Sequence, residues 1–297
     1  MDRLDELQVF LAILDSGNMA AAARRLNRSP PAVTRILTAL EQRVGARLFE
    51  RSTRRLVATD AGTRLAEQAR RLLADYDSAV QLPGNATPRG LLRVAAPLMF
   101  GRRHVTPIVL TFLQRYPEVQ VDLRLADRNV DLIEEGIDAA FRIGPLSNTA
   151  FVARQLGQVR RVVVASPAYL DRCGEPSAPA ALSSHELILA TTVRGLPEWR
   201  FKVDGREQAV RVTPRLQLND MEAVLHAALD GFGIARVLSY QAAPALKAGQ
   251  LVRLLRRFEP EPVPVHLVLP STRHMAPRLR AFIDFAVSAC AELDVLR

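Results

Sequence analysis

Lysine is nearly absent from this 297-residue sequence: Lys202 and Lys247 are the only two, and arginine supplies almost every other cation. The presence of arginine is therefore weak evidence of a nucleic-acid partner, and its distribution matters more than its number. Cysteine is as scarce. Cys173 and Cys290 lie far apart, outside any CxxC or Cys/His spacing, so neither a disulfide framework nor a zinc site has a basis. The expectation is two buried thiols in a reducing compartment. The five histidines (His104, His185, His226, His266, His274) show no ligand spacing and no partnered nucleophile motif, and GxSxG, HExxH and the P-loop pattern are missing. No enzyme activity, metal or cofactor is expected from such a set. No apolar run approaches the roughly 20 residues that span a bilayer. Residues Met1 to Glu6 also lack a basic segment leading into an apolar one, which predicts a cytoplasmic protein with no membrane partner.

The composition, 48% hydrophobic and 24% charged, is that of a chain able to bury a core. Its length suits a small domain joined to a larger one. The formal charge of +9 is unevenly spread, with nine arginines and two acids between Ser16 and Thr59. That stretch also has the most distinctive pattern. Leu4, Leu7, Phe10, Leu11 and Leu14 are spaced as one helix, and a short second helix is expected over Met19 to Leu26. Ser29 is placed to cap a third, in which Pro30 and Pro31 fall where N–H groups would go unbonded anyway. That helix runs through Val33, Ile36, Leu37 and Leu40 to Gly45. Two short helices joined by a tight turn make a helix-turn-helix. Residues 47–59 read as strand, arginine-rich turn and strand, a wing. Asp60 is expected to cap a long helix to about Gln81, on which Leu65, Ala69, Leu72 and Tyr76 follow the alternating spacing of a coiled-coil seam. Pro83, Gly84, Pro88 and Gly90 then mark a linker.

Beyond it, apolar strands alternate with helical patterns, which predicts a mainly parallel sheet flanked by helices. Strands are expected at Leu91–Ala96, Val119–Leu125, Ala139–Ile143, Val159–Ala165, Glu186–Ala190, Arg215–Leu218, Phe232–Val237 and Val263–Leu269. Helices are expected at Arg102–Arg115, Val130–Glu135, Met221–Leu229 and Pro277–Leu293. Asp204-Gly205 should turn a hairpin. Gly231 and Gly233 follow a helix and precede a strand, the wrong order for a dinucleotide fingerprint, so Gly231 reads as a helix terminator.

The stretch 20–62, AAAARRLNRSPPAVTRILTALEQRVGARLFERSTRRLVATDAG, resembles the signature of LysR-type transcriptional regulators. Residues 96–107, 116–144 and 156–170 are similar to the effector-domain text of one branch of that family, so the resemblance covers essentially the whole chain. It implies a winged helix-turn-helix at 1–60, a linker and dimerisation helix at 61–82, a hinge at 83–90, and an effector domain at 91–297. The last resembles type 2 periplasmic solute-binding proteins: two α/β lobes, one of about 91–161 plus 268–297 and the other of about 162–267. It further implies a homodimer or homotetramer on promoter DNA, contact with RNA polymerase, and control by a small molecule. Carried onto this chain, DNA contacts fall on Ser29, Pro30, Pro31, Thr34, Arg35 and Thr38, with Arg51, Arg54 and Arg55 in the wing. The family's usual Gln after the capping Ser is Pro30 here, so no amide reads adenine at that point.

Ligands of open α/β sheets gather at strand ends and at the helix N-termini that follow. Pro97, Leu98 and Met99 after the first strand, and Asn219 and Asp220 before a helix, stand at such junctions, and Arg142 ends a strand where it could pair with a carboxylate. Asp127 and Thr191 complete the expected effector set, and an organic acid is the expected ligand. For Asn219 and Asp220 the alternative is a cap, and for Arg142 an internal partner. Two other classes compete: an exported solute-binding protein would carry no winged helix, and a ligand-free nucleoid protein would need no α/β lobes.

Overall fold

The computed structural model describes residues 3–51, 56–80, 87–128, 130–146, 151–191, 198–270 and 275–297. They form two compact units, Met1–Ala86 and Thr87–Arg297.

In the first unit, α1 (Arg3–Ser16), α2 (Met19–Arg25) and α3 (Pro30–Val44) enclose a core around Phe10, Ile13, Val33, Ile36, Leu37 and Leu40. The breaks between them have local causes. Gly17 takes φ 69°, Asn18 Oδ1 accepts from the Ala21 N–H at 2.7 Å to cap α2, and Asn27 supplies the left-handed residue (φ 53°) that turns the chain towards α3. Ser29 occupies the cap of α3, but its side chain makes no capping bond. With prolines at the next two positions, the first N–H is that of Ala32, and the Ser29 carbonyl takes it at 3.0 Å. Gly45, at φ 72°, ends α3. Strands β1 (Phe49–Arg51) and β2 (Leu56–Ala58) pair antiparallel, and α4 (Asp60–Val80) follows. Thr59, not Asp60, caps α4: its hydroxyl accepts from the Gly62 N–H at 3.0 Å. Gly62 packs so closely on the Leu48 carbonyl that any side chain there would strike backbone.

The second unit holds two five-stranded sheets. The first contains β3 (Gly90–Ala96), β4 (Val119–Leu125), β5 (Ala139–Ile143), β6 (Val152–Val159) and β14 (Val263–Leu269), in the order β4-β3-β5-β14-β6. The second contains β7 (Arg161–Ala165), β8 (Leu187–Ala190), β11 (Leu216–Leu218), β12 (Ile234–Leu238) and β13 (Val252–Leu254), in the order β11-β8-β12-β7-β13. A hairpin of β9 (Glu198–Val203) and β10 (Arg206–Arg211) turns at Asp204-Gly205, both at positive φ. The expected mainly parallel sheet is corrected to two mixed ones: each has two parallel and two antiparallel joints. The chain crosses to the second sheet between Val159 and Arg161 and returns before Val263, and the strands flanking each crossing run against their neighbours. The return thus precedes β14, which lies wholly in the first sheet between β5 and β6, so position 268 is not its boundary.

Helical segments pack on these sheets. They are α5 (Leu98–Phe100), leading through a π turn (Gly101–Val105) into α6 (Thr106–Arg115), then α7 (Pro167–Cys173), α8 (Met221–Leu229), α9 (Ser239–Lys247) and α10 (Pro277–Ala291). The π turn has a cause in the chain. Thr106 gives both N–H and hydroxyl to the Gly101 carbonyl, and Pro107 has no N–H for the next bond. The helix expected at Val130–Glu135 is a turn, because the Asp131 carboxylate takes the Ile133 and Glu134 N–H groups at 2.9 and 3.0 Å. Gly231 (φ 76°) does terminate α8, and Gly233 lets β12 approach the Glu186 carbonyl. Cys290 is buried; Cys173, at the end of the surface helix α7, is exposed, contrary to expectation.

Candidate DNA interface and effector cavity

Helix α3 buries Val33, Ile36, Leu37 and Leu40 and leaves Pro31, Arg35, Thr38 and Gln42 exposed. These four recur at helical spacing and so share one face. Ser29 and Pro30 are exposed just before it, and Thr34 is half-buried beside it. The Thr34 hydroxyl donates to the Pro30 carbonyl at 3.1 Å and the Thr38 hydroxyl to the Thr34 carbonyl at 2.9 Å, which leaves both oxygens free to accept from a partner. Among the described residues Arg35 has no acidic neighbour in bonding range. Arg54, Arg55 and the side chain of Arg51 lie outside the described part of the structure.

The basic excess is smaller than the sequence count suggests, because acids of α1 answer several of the arginines. Asp5 takes Arg28 in a two-pronged pair at 2.7 and 2.8 Å, and Asp15 faces Arg25 at 3.7 Å and Arg70 at 2.7 Å. Glu6, fully buried, is held by both terminal nitrogens of Arg43. That pair is structural, since losing the arginine would strand a carboxylate in the core. Arg24, Arg35 and Arg47 remain as described, exposed cations without such a partner.

On α4 the expected seam divides. Ala69 is buried in the core of its own unit and Leu65 packs against it, whereas Leu72 and Tyr76 are each 50% exposed.

In the second unit a cavity of about 610 Å³ opens between the two sheets. Of the expected effector residues, Pro97, Asp127, Arg142 and Thr191 line it. Four others lie elsewhere. Met99 is in the hydrophobic core, and the Leu98 N–H is taken by the Asp127 carboxylate at 2.9 Å. Asp220 caps α8 through the Ala223 N–H at 2.8 Å, and Asn219 is exposed outside the cavity. Each helix start thought to attract an anion already holds an internal carboxylate. Arg142 is different: it donates to the Val130 carbonyl at 2.7 Å and stacks on Phe151 at 5.9 Å, with no carboxylate in bonding range among the described residues.

Residues 4–63 match the model described as bacterial regulatory helix-turn-helix protein, lysR family, and residues 85–291 match the LysR substrate binding domain. The chain belongs to the LysR family of transcriptional regulators. It is 33% identical over 291 residues to an HTH-type transcriptional regulator of Xanthomonas campestris, covering 96% of this chain and 85% of that one. To the transcriptional activator TtdR of Escherichia coli it is 30% identical over 293 residues, covering 97% and 93%. Among solved structures it is similar to full-length AphB of Vibrio cholerae (TM-score 0.62, 26% identity, 97% of this chain and 99% of that one). It is also similar to CrgA of Neisseria meningitidis (TM-score 0.63, 29% identity, 98% and 99%).

Placed in this LysR-family chain, the cavity has features that sequence reasoning passed over. Arg161, Trp199, Arg236 and Tyr240 all line it. Burial pushes the Tyr240 phenol well above its ordinary range, and it pushes the Arg236 guanidinium down to about 10, helped by the charges of Arg161 and Arg200. Arg161 is lowered for the same reasons, burial first and Arg200 second. A usable signal existed: each arginine interrupts an otherwise apolar strand, RVVVA and IARVL. Behind the wall, His104 packs on Phe100 and Tyr240 with its Nε2 buried and unbonded. Among the described residues no cluster of acids, histidines or cysteines could hold a metal, and no helix is long and apolar enough to cross a membrane.

Proposed function

We propose that this regulator grips promoter DNA as a homodimer or higher homo-oligomer through the exposed face of α3, with Arg35 at its centre and the wing arginines Arg51, Arg54 and Arg55 beside it. A small organic acid in the cavity then alters that grip and the recruitment of RNA polymerase, all in the cytoplasm. The observation that carries the effector reading is Arg142, a cation in the cavity wall tied to a carbonyl and an aromatic face, with N–H donors left for a carboxylate. The helix N-termini give no support, since Asp127 and Asp220 occupy them. The test is footprinting of the promoter upstream of the chain's own gene, with and without a panel of organic acids and their neutral amides. An acid should change the protected region for wild type and not for Arg142→Ala. Equal effects from the amides would overturn the anionic assignment.

A further inference from the structure

Arg161 and Arg236 stand on adjacent antiparallel strands of the second sheet. Leu238 of β12 faces Arg161 of β7 and Arg236 faces Val163, so the two guanidinium-bearing positions are one diagonal step apart on the same face. Both line the cavity and both are partly buried. Their environment is unusual for this chain, in which arginines are commonly answered by acids. Arg236 has the Glu198 carbonyl at 3.3 Å and the face of Trp199 at 5.4 Å, and among the described residues neither it nor Arg161 has a carboxylate in bonding range. The nearby charges are Arg200, which repels both, and Glu207, which is itself bonded to Arg200 at 3.3 Å. Two like charges half out of water without a counter-ion are costly. Burial lowers both guanidinium pKa values, and the charge of Arg200 lowers both further, joined at Arg236 by that of Arg161.

Across the cavity Arg142 belongs to the first sheet, on β5. The cavity wall also carries apolar and aromatic residues, among them Ala140, Phe141, Leu189 and Trp199. Two acids also line the cavity: Asp127, whose carboxylate is engaged by the Leu98 N–H at 2.9 Å, and Glu198, which precedes Trp199.

We infer that Arg161 and Arg236 form a second anion-binding pole, and that the effector is a short organic dianion, two carboxylates on a carbon spacer, held with one end on Arg142 and the other on Arg161 and Arg236. The inference rests on the reading of the cavity as the effector site. An apolar spacer suits the apolar and aromatic residues of the wall, and planar guanidiniums seated on aromatic faces, as those of Arg142 and Arg236 are, suit carboxylates, which they bind in two-pronged fashion. Because the poles belong to different sheets, a dianion would fasten one lobe to the other, which a monoacid could not do.

The test uses the full-length protein, calorimetry and thermal shift. The probes are linear dicarboxylates from malonate to adipate, monocarboxylates of matched carbon number, and the corresponding diamides. A dicarboxylate should bind roughly tenfold to a hundredfold more tightly than its matched monoacid, the worth of one additional charge-assisted bond. Arg236→Gln and, separately, Arg161→Gln should bring the diacid down to the monoacid level. Without ligand, Arg236→Gln should melt no lower than wild type, because it removes a repelling charge; a merely structural arginine would lower the midpoint. Should Arg236→Gln fail to fold, Arg161→Gln carries the same comparison. If monoacids match diacids, or if both glutamine variants keep full diacid affinity while Arg142→Ala loses it, the second pole is wrong and the effector reading stands. If no acid binds, or the diamides bind equally, both fall together.

Discussion

At the scale of single residues, the arginines of the first unit sort by partner and not by position. Arg28 sits next to the recognition helix in sequence, yet Asp5 neutralises it. Arg35 has no such neighbour. A phosphate contact releases condensed counterions, so each one adds about one to the slope of log affinity against log salt. Arg35→Ala is expected to weaken operator binding, and to lower that slope by about one if the contact is to phosphate. Arg28→Ala should leave the slope as it is. Fluorescence anisotropy titrations across a salt series separate the two, and an unchanged affinity for Arg35→Ala would remove α3 from the interface. His104 gives a second residue-scale expectation. Burial, then the charge of Arg103, lowers its pKa below the ordinary 6.5. Unfolded chains therefore take up the proton first as pH falls. The stability this group contributes is complete above about pH 6.5 and is lost as pH falls below it towards the folded value. His104→Phe, which keeps the ring against Phe100 and Tyr240, should flatten the pH dependence of the melting midpoint in that window. An unaltered slope would show that other groups set it.

At the scale of elements, the caps of α2 and α3 look alike in sequence and differ in structure. Asn18→Ala removes a bond to Ala21 and should cost about 1 kcal/mol. Ser29→Ala removes no capping bond, and urea melts should place it within about 0.5 kcal/mol of wild type. Equal losses would mean that Ser29 caps in solution. The same contrast explains what the sequence made legible. The bounds of α8 and β14 are those read from periodicity, because α8 carries a helical apolar pattern closed by Asp220 and Gly231, and β14 buries Val263, Val265, Leu267 and Leu269 at every second position. Helix α9 escaped notice because Pro244 lies inside it. Strand β6 escaped because its run VARQLGQV is largely exposed and offers little alternation. The three helices of the first unit were legible because local spacing determines them. The cavity was half found, since its wall is assembled from strand ends far apart in the chain, and a residue such as Met99 faces the core or the cleft according to the turn of helix that follows Pro97.

For the whole molecule, a pairing of two copies through α4 would have to use what the first unit leaves uncovered. Ala69 is already buried within its own subunit, and Leu72 and Tyr76 present apolar surface further along α4. An isologous pairing would lay these two residues against their copies and fix the separation of two reading heads, so the operator should be a dyad. Leu72→Asp with Tyr76→Asp should dissociate the oligomer in light scattering without changing the first unit's helical content. Leu65→Asp should instead damage folding, because Leu65 packs on the unit's own core. An intact oligomer in the double variant would move the interface off α4.

The strand order of the second unit also bears on how the chain is made. Strand β14 is inserted between β5 and β6, although more than a hundred residues, including the whole second sheet, separate it from them in sequence. During synthesis the second sheet can close as soon as β13 emerges. The first has by then only β3, β4 and β5 as a joined set, with β6 waiting across an empty slot for its partner. Until β14 leaves the ribosome, two unpaired strand edges flank that slot, and such edges template pairing with other chains. The nascent regulator is thus most prone to aggregation between the emergence of β13 and that of β14, and a premature stop between Leu254 and Val263 yields a completed second sheet attached to a first sheet missing the strand that joins β5 to β6.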